Sequence, residues 1–68
     1  MKYCYLKETE RTKGMISKYD GWYDVVRKGK PSVLDGQKGY YVVSPDGKIE
    51  GWILPEDIDN NDDWYEEN

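Results

Sequence analysis

The stretch Lys48-Ile49-Glu50-Gly51-Trp52-Ile53-Leu54-Pro55-Glu56-Asp57-Ile58 decides the fold. It reads as a final core strand, stopped by a proline, that rolls into one short turn. Pro55 has no N–H to give to a ladder, so pairing has to end before it. Glu56-Asp57-Ile58 then suits a single 3₁₀ turn whose Ile58 tucks back. Just upstream, Tyr40-Tyr41-Val42-Val43-Ser44 is aromatic and β-branched, and Pro45-Asp46-Gly47 joins it to the opening stretch. Two such runs around a Pro-Asp-Gly turn predict an antiparallel pair.

Further upstream the same logic weakens by degrees. Residues 2–7 alternate, with Cys4 and Leu6 on one face and Tyr3 and Tyr5 on the other, which predicts a first strand. Residues 8–14 are polar and end in Gly14, a loop. Met15-Ile16-Ser17 reads as a brief strand or a turn of helix. Asp20-Gly21 is a hairpin-turn signal, because that pair tolerates positive φ. Residues 22–27 form the next strand, Tyr23, Val25 and Arg27 on one face and Trp22, Asp24 and Val26 on the other. Residues 28–39 contain Gly29, Pro31, Gly36 and Gly39 and read as loop, with Val33 and Leu34 as an apolar anchor.

Four or five short strands in about sixty residues, joined by Gly-rich turns, point to a small β barrel. Composition agrees. The 68 residues include no Ala and no Phe, but seven Tyr, three Trp, seven Gly and three Pro, which is poor helix material and good strand material. A chain this short holds one domain with a modest core. The organisation expected is an all-β domain over residues 1–58, closed by the 3₁₀ turn, and an acidic, flexible tail over residues 59–68.

The order Tyr40-Tyr41, Val42-Val43, Pro45-Asp46-Gly47, Ile49, Gly51-Trp52-Ile53-Leu54, Pro55, Glu56-Asp57 and Ile58 resembles the C-terminal half of SH3 domains. The resemblance implies an SH3-like small barrel. Residues 40–58 carry it, while residues 1–39 match only in general shape. At the same coarse level the chain is similar to bacterial and phage SH3-like modules and to KOW-type barrels that touch nucleic acid or ribosomal partners. The Ala-Leu-Tyr-Asp-Tyr-type opening of proline-peptide binders is absent, and Ile58 stands where those domains carry Tyr. A polyproline helix is gripped by stacked aromatics, and at least one wall of that groove is missing here.

Charge divides the chain. Through Leu54 there are ten basic and seven acidic residues, a net +3; from Pro55 onward there are seven acids and no base, a net −7. Trp64 and Tyr65 stand inside that acidic run. They read as anchors of a recognition segment, with Asp62, Asp63, Glu66 and Glu67 steering toward a basic partner. Exposed aromatics of the body, Trp22, Tyr41 and Trp52, complete the expected protein-binding surface. The other reading is a small nucleic-acid-binding barrel, with Arg27, Lys28, Lys30 and Lys38 as a basic rim and aromatics for base stacking. A third class, the enzyme, has little to work with. The chain has no His, and its one Cys, Cys4, falls on a predicted core face.

Neither a cofactor nor a metal is expected: the calcium-loop spacing is missing, and no Gly-rich phosphate loop appears. A lone cysteine and the lack of a signal peptide or a membrane-length apolar run predict a cytoplasmic protein with no membrane partner. In size and charge layout the chain is similar to small proteins of phages and mobile elements that act on a host protein. That resemblance implies a modulator or inhibitor.

Overall fold

The computed structural model describes residues 2–59, Lys2 by its backbone alone. Four strands form one open antiparallel sheet in the order β1-β2-β3-β4: β1 Lys2–Tyr5, β2 Trp22–Gly29, β3 Gly39–Val43 and β4 Glu50–Ile53. A short helix, α1 (Lys13–Lys18), lies between β1 and β2. Single 3₁₀ turns at Ser32–Leu34 and Pro55–Asp57 follow β2 and β4. The domain is therefore mostly strand, as the composition predicts.

The inner face of the sheet carries the core. Cys4, Leu6, Tyr23, Tyr40, Val42, Ile53 and Ile58 are buried together, and Met15, Ile16, Tyr19, Val25 and Ile49 pack against them. Cys4 and Leu6 point inward and Tyr3 and Tyr5 outward, as alternation predicts. The terminal turn forms as expected. Pro55 ends β4, and Ile58 tucks in with 1% of its surface exposed. Ile58 then bridges Leu6, with Lys7 N–H donating to the Asp57 carbonyl and Asp59 N–H to the Tyr5 carbonyl. The chain after β4 thus reaches β1, the strand at the opposite edge of the sheet.

The β3–β4 connection is built around Ser44. Gly47 takes the positive φ of 77° that the Pro-Asp-Gly signal predicts, and its N–H donates to the Ser44 carbonyl. The buried Ser44 hydroxyl donates to Asp46 Oδ1 at 2.6 Å and accepts from Ile49 N–H at 3.1 Å. Asp46 Oδ1 also accepts from Lys48 N–H.

Several expectations upstream fail, each for a local reason. Of the two readings of Met15-Ile16-Ser17, the turn of helix is the one that forms, but it spans Lys13 to Lys18 and so takes in Gly14, expected in a loop. Six residues without a side-chain cap do not hold a helix by themselves. This one is held by packing of Met15 and Ile16 and by the Tyr23 hydroxyl, which lies 2.9 Å from the Tyr19 carbonyl and 3.2 Å from that of Met15. Asp20-Gly21 is not a hairpin turn, for neither residue has positive φ. Gly21 is small because Tyr19 lies on it: a Cβ there would fall 2.5 Å from the Tyr19 hydroxyl.

Strand β2 runs on to Gly29, so Lys28 and Gly29 belong to the ladder and not to a loop. A bulge interrupts β2 between Val25 and Arg27: Val25 pairs with Val42 and Arg27 with Tyr41, leaving Val26 extra. The inserted residue breaks the two-residue period. Tyr23 and Val25 therefore face the core, while Arg27 joins Trp22 and Asp24 on the outer face, contrary to the expected grouping of Tyr23, Val25 and Arg27. Of the apolar pair Val33 and Leu34, only Leu34 is an anchor; Val33 is 72% exposed.

Candidate functional site

The outer face of the sheet is the candidate site. Alternation against the buried residues assigns it Tyr3 and Tyr5 from β1, Trp22, Asp24 and Arg27 from β2, Tyr41 and Val43 from β3, and Glu50 and Trp52 from β4. A sheet with one face on the core ordinarily presents polar residues on the other. Here five of the nine are aromatic. The sequence-predicted contact residues Trp22, Tyr41 and Trp52 are all on this face. Trp22 is 38% exposed, and Tyr41 and Trp52 are half-buried against each other and their neighbours. The expected contacts Asp62, Asp63, Trp64, Tyr65, Glu66 and Glu67 lie outside the described residues.

Two clusters divide the face. In one, Trp22 and Tyr3 meet edge to face with ring centroids 5.9 Å apart and planes at 63°, and Tyr5 stands 6.4 Å from Tyr3. In the other, Tyr41 and Trp52 meet edge to face at 5.3 Å, also at 63°. Arg27 lies over the Tyr41 ring, 5.5 Å from its centroid, because the bulge turns it to this side. A cross-strand row of Asp24, Val43 and Glu50 continues from Tyr3 of the first cluster and separates Trp22 and Tyr5 from the second. Hydrogen bonding with the Glu50 carboxylate raises the Tyr41 hydroxyl pKa, helped by desolvation and the Glu50 charge and opposed by Arg27. The Trp52 ring lies over Gly29, 3.4 Å from where a Cβ would stand, an ordinary van der Waals distance.

Tyr3, Tyr5, Asp24 and Glu50 were absent from the expected site, although the first-strand alternation already set both tyrosines opposite Cys4 and Leu6. The two carboxylates carry no signal in the sequence; only strand register brings them between the aromatic clusters.

The four basic rim residues are partly gathered. Gly29 pairs with Gly39, so Lys28, Lys30 and Lys38 flank one end of the β2–β3 ladder, and Lys38 lies 6.0 Å from the Tyr40 ring centroid. Arg27 is separate, engaged on the outer face. A second region with basic residues is an open groove of about 400 Å³ between α1 and the start of β4, lined by Arg11, Lys18 and Lys48 with Glu50, Met15 and Ile49.

Nucleophilic chemistry has no support from Cys4. It is fully buried, and burial pushes its thiol up to about 12. Among the described residues no group of three or more Cys, Asp or Glu could hold a metal ion, and no helix is long and apolar enough to cross a membrane. The remaining buried acid, Asp57, is structural. It accepts from Thr9 Oγ1 at 2.9 Å, Leu54 N–H at 2.8 Å and Arg11 at 3.2 Å. No family model matches the chain, and no curated protein or solved structure matches it significantly.

Proposed function

We propose that the chain is a non-enzymatic protein-binding module that uses the outer sheet face as its contact surface. The supporting observation is the aromatic content of that face. Tyr3, Tyr5, Trp22, Tyr41 and Trp52 contribute large ring area on the side of the sheet away from the core. Clustered exposed aromatics of this kind are typical of contact surfaces. The acidic run that includes Asp62, Asp63, Glu66 and Glu67, with Trp64 and Tyr65 as anchors, adds a second contact in this reading. The fold is read as an SH3-like barrel, since the turn after β4 returns the chain to β1 and so leads toward closure.

Affinity purification from the source cell tests this with the full chain, a Tyr41→Ser/Trp52→Ser variant, and a chain lacking residues 60–68. A captured protein should be reduced at least about tenfold by the face variant, since hot-spot aromatics contribute 2 kcal/mol or more. Undiminished capture by that variant rejects the reading. The truncated chain reports on the acidic segment separately.

A second reading, nucleic-acid binding, is favoured by the position of Lys28, Lys30 and Lys38 at one end of the β2–β3 ladder, with Lys38 6.0 Å from the Tyr40 ring centroid. It requires steep loss of binding with salt and abolition by Lys28→Glu with Lys30→Glu. Asp24 and Glu50, set among the aromatics, oppose a phosphate backbone on the outer face. The protein-binding reading is therefore preferred.

A further inference from the structure

The two ends of the outer face repeat one arrangement. Tyr41 and Trp52 meet at 5.3 Å and 63°, with the Glu50 carboxylate raising the Tyr41 hydroxyl pKa and the Arg27 guanidinium 5.5 Å from the Tyr41 ring centroid. Tyr3 and Trp22 meet at 5.9 Å and 63°, with Asp24 directly opposite Tyr3 in the ladder. Each trio is therefore a tyrosine, a tryptophan and a carboxylate. The first holds a cation from its own chain. Over the second, no cation is found among the described residues, and Asp24 has no ion pair among them.

A π-face beside a carboxylate is the chemistry that attracts a guanidinium or ammonium group. We propose that Tyr3, Trp22 and Asp24 receive an arginine or lysine side chain from a basic segment of the protein partner, as the Tyr41 ring receives Arg27. Charge complementarity supports this occupant. A basic side chain arriving here meets the carboxylates of Asp24 and Glu50, whereas an acidic one would be repelled by both. Exposure of Trp22 at 38% and Tyr3 at 49% leaves both rings accessible. The inference rests on the outer face being the contact surface, and it names the chemistry that this face selects.

The test uses the full chain and a defined probe, a Gly-Ser-Arg-Ser-Gly peptide, against its citrulline counterpart, which keeps the shape and removes the charge. Two-dimensional NMR follows the Trp22 indole N–H, assigned with Trp22→Phe, and the amides of Tyr3 and Asp24. The arginine peptide should shift these signals in a saturable manner. Citrulline in place of arginine, and Asp24→Asn in the protein, should each weaken the response about tenfold, the scale of a desolvated cation–π contact joined to an ion pair. Asp24→Glu should restore most of it, and unchanged core signals will show that each variant is folded. Equal response to arginine and citrulline, indifference to Asp24→Asn, or shifts confined to Trp52 or Trp64 would each overturn the proposal. The outcome is separable from that of partner capture. Capture lost with Tyr41→Ser/Trp52→Ser but no Trp22 response removes only the cation clasp, whereas a Trp22 response with undiminished capture removes only the protein-binding reading.

Discussion

Cys4 shows how a single position is set by both its strand and its surroundings. It pairs with Tyr23 across β1 and β2, faces inward, and has no measurable exposure. Desolvation disfavours the thiolate, so the pKa rises from the ordinary 9.0 to about 12. At pH 8 the reactive thiolate should be roughly a thousandfold scarcer than for a free cysteine. Labelling by Ellman's reagent should accordingly be very slow in the native protein and fast in guanidinium chloride, and rapid native labelling would contradict the burial. The raised pKa also links to stability. The unfolded chain releases this proton near pH 9 and the folded chain only near 12, so the contribution is intact below pH 9 and is lost progressively between those values. A valine at position 4 should remove that part of the alkaline decline.

Elements divide into those that a local pattern specifies and those that only packing specifies. The β3–β4 pair belongs to the first kind. Its strands are β-branched and aromatic, its turn has Gly where φ must be positive, and Pro55 ends it. The Asp46 carboxyl is held below its ordinary 3.8, first by the Ser44 hydroxyl and then by Lys48 N–H. A depressed carboxylate contributes its stability above the unfolded value and loses it as pH falls through the folded one. The Lys48 and Ile49 amides should therefore lose exchange protection as pH drops below about 4, and Asp46→Asn should abolish that pH dependence. Protection that is flat with pH in the parent chain would sink this account of the turn. The second kind includes α1 and the β2 bulge. Nothing in Lys13 to Lys18 caps a helix, and a bulge adds one residue without a compositional mark, so the reassignment of Arg27 to the outer face could not be read from the period. The aromatic half of the candidate site was legible, since Trp22, Tyr41 and Trp52 fall on strands that the pattern does show. The carboxylate half was not, because Asp24 and Glu50 come between the clusters through register alone.

For the molecule as a whole, the decisive contact joins the two ends of the described chain. Asp57, with 1% of its surface exposed, receives hydrogen bonds from Thr9, Arg11 and Leu54, so one carboxylate fixes the loop after β1 to the turn after β4. Thr12 extends the same network, its hydroxyl donating to the Lys7 carbonyl while accepting from Thr9 N–H. Leu54 is three residues from Asp57, but Arg11 and Thr9 are 46 and 48 away, which is why no local pattern announced the link between the two ends. Its members are unequal in weight. Arg11 is 38% exposed, so water screens its ion pair, and Arg11→Ala should cost less than about 1 kcal/mol. Asp57→Ala is different, since it leaves the Leu54 N–H and the Thr9 hydroxyl without their acceptor in a closed site, a loss of about 3–5 kcal/mol. A domain of this size has a total stability of only about 5 kcal/mol. Chemical denaturation should therefore show a modest fall in midpoint for Arg11→Ala and near-complete loss of the folded state for Asp57→Ala. Equal effects of the two substitutions would mean that the ion pair, and not the buried hydrogen-bond network, ties the ends of the sheet together.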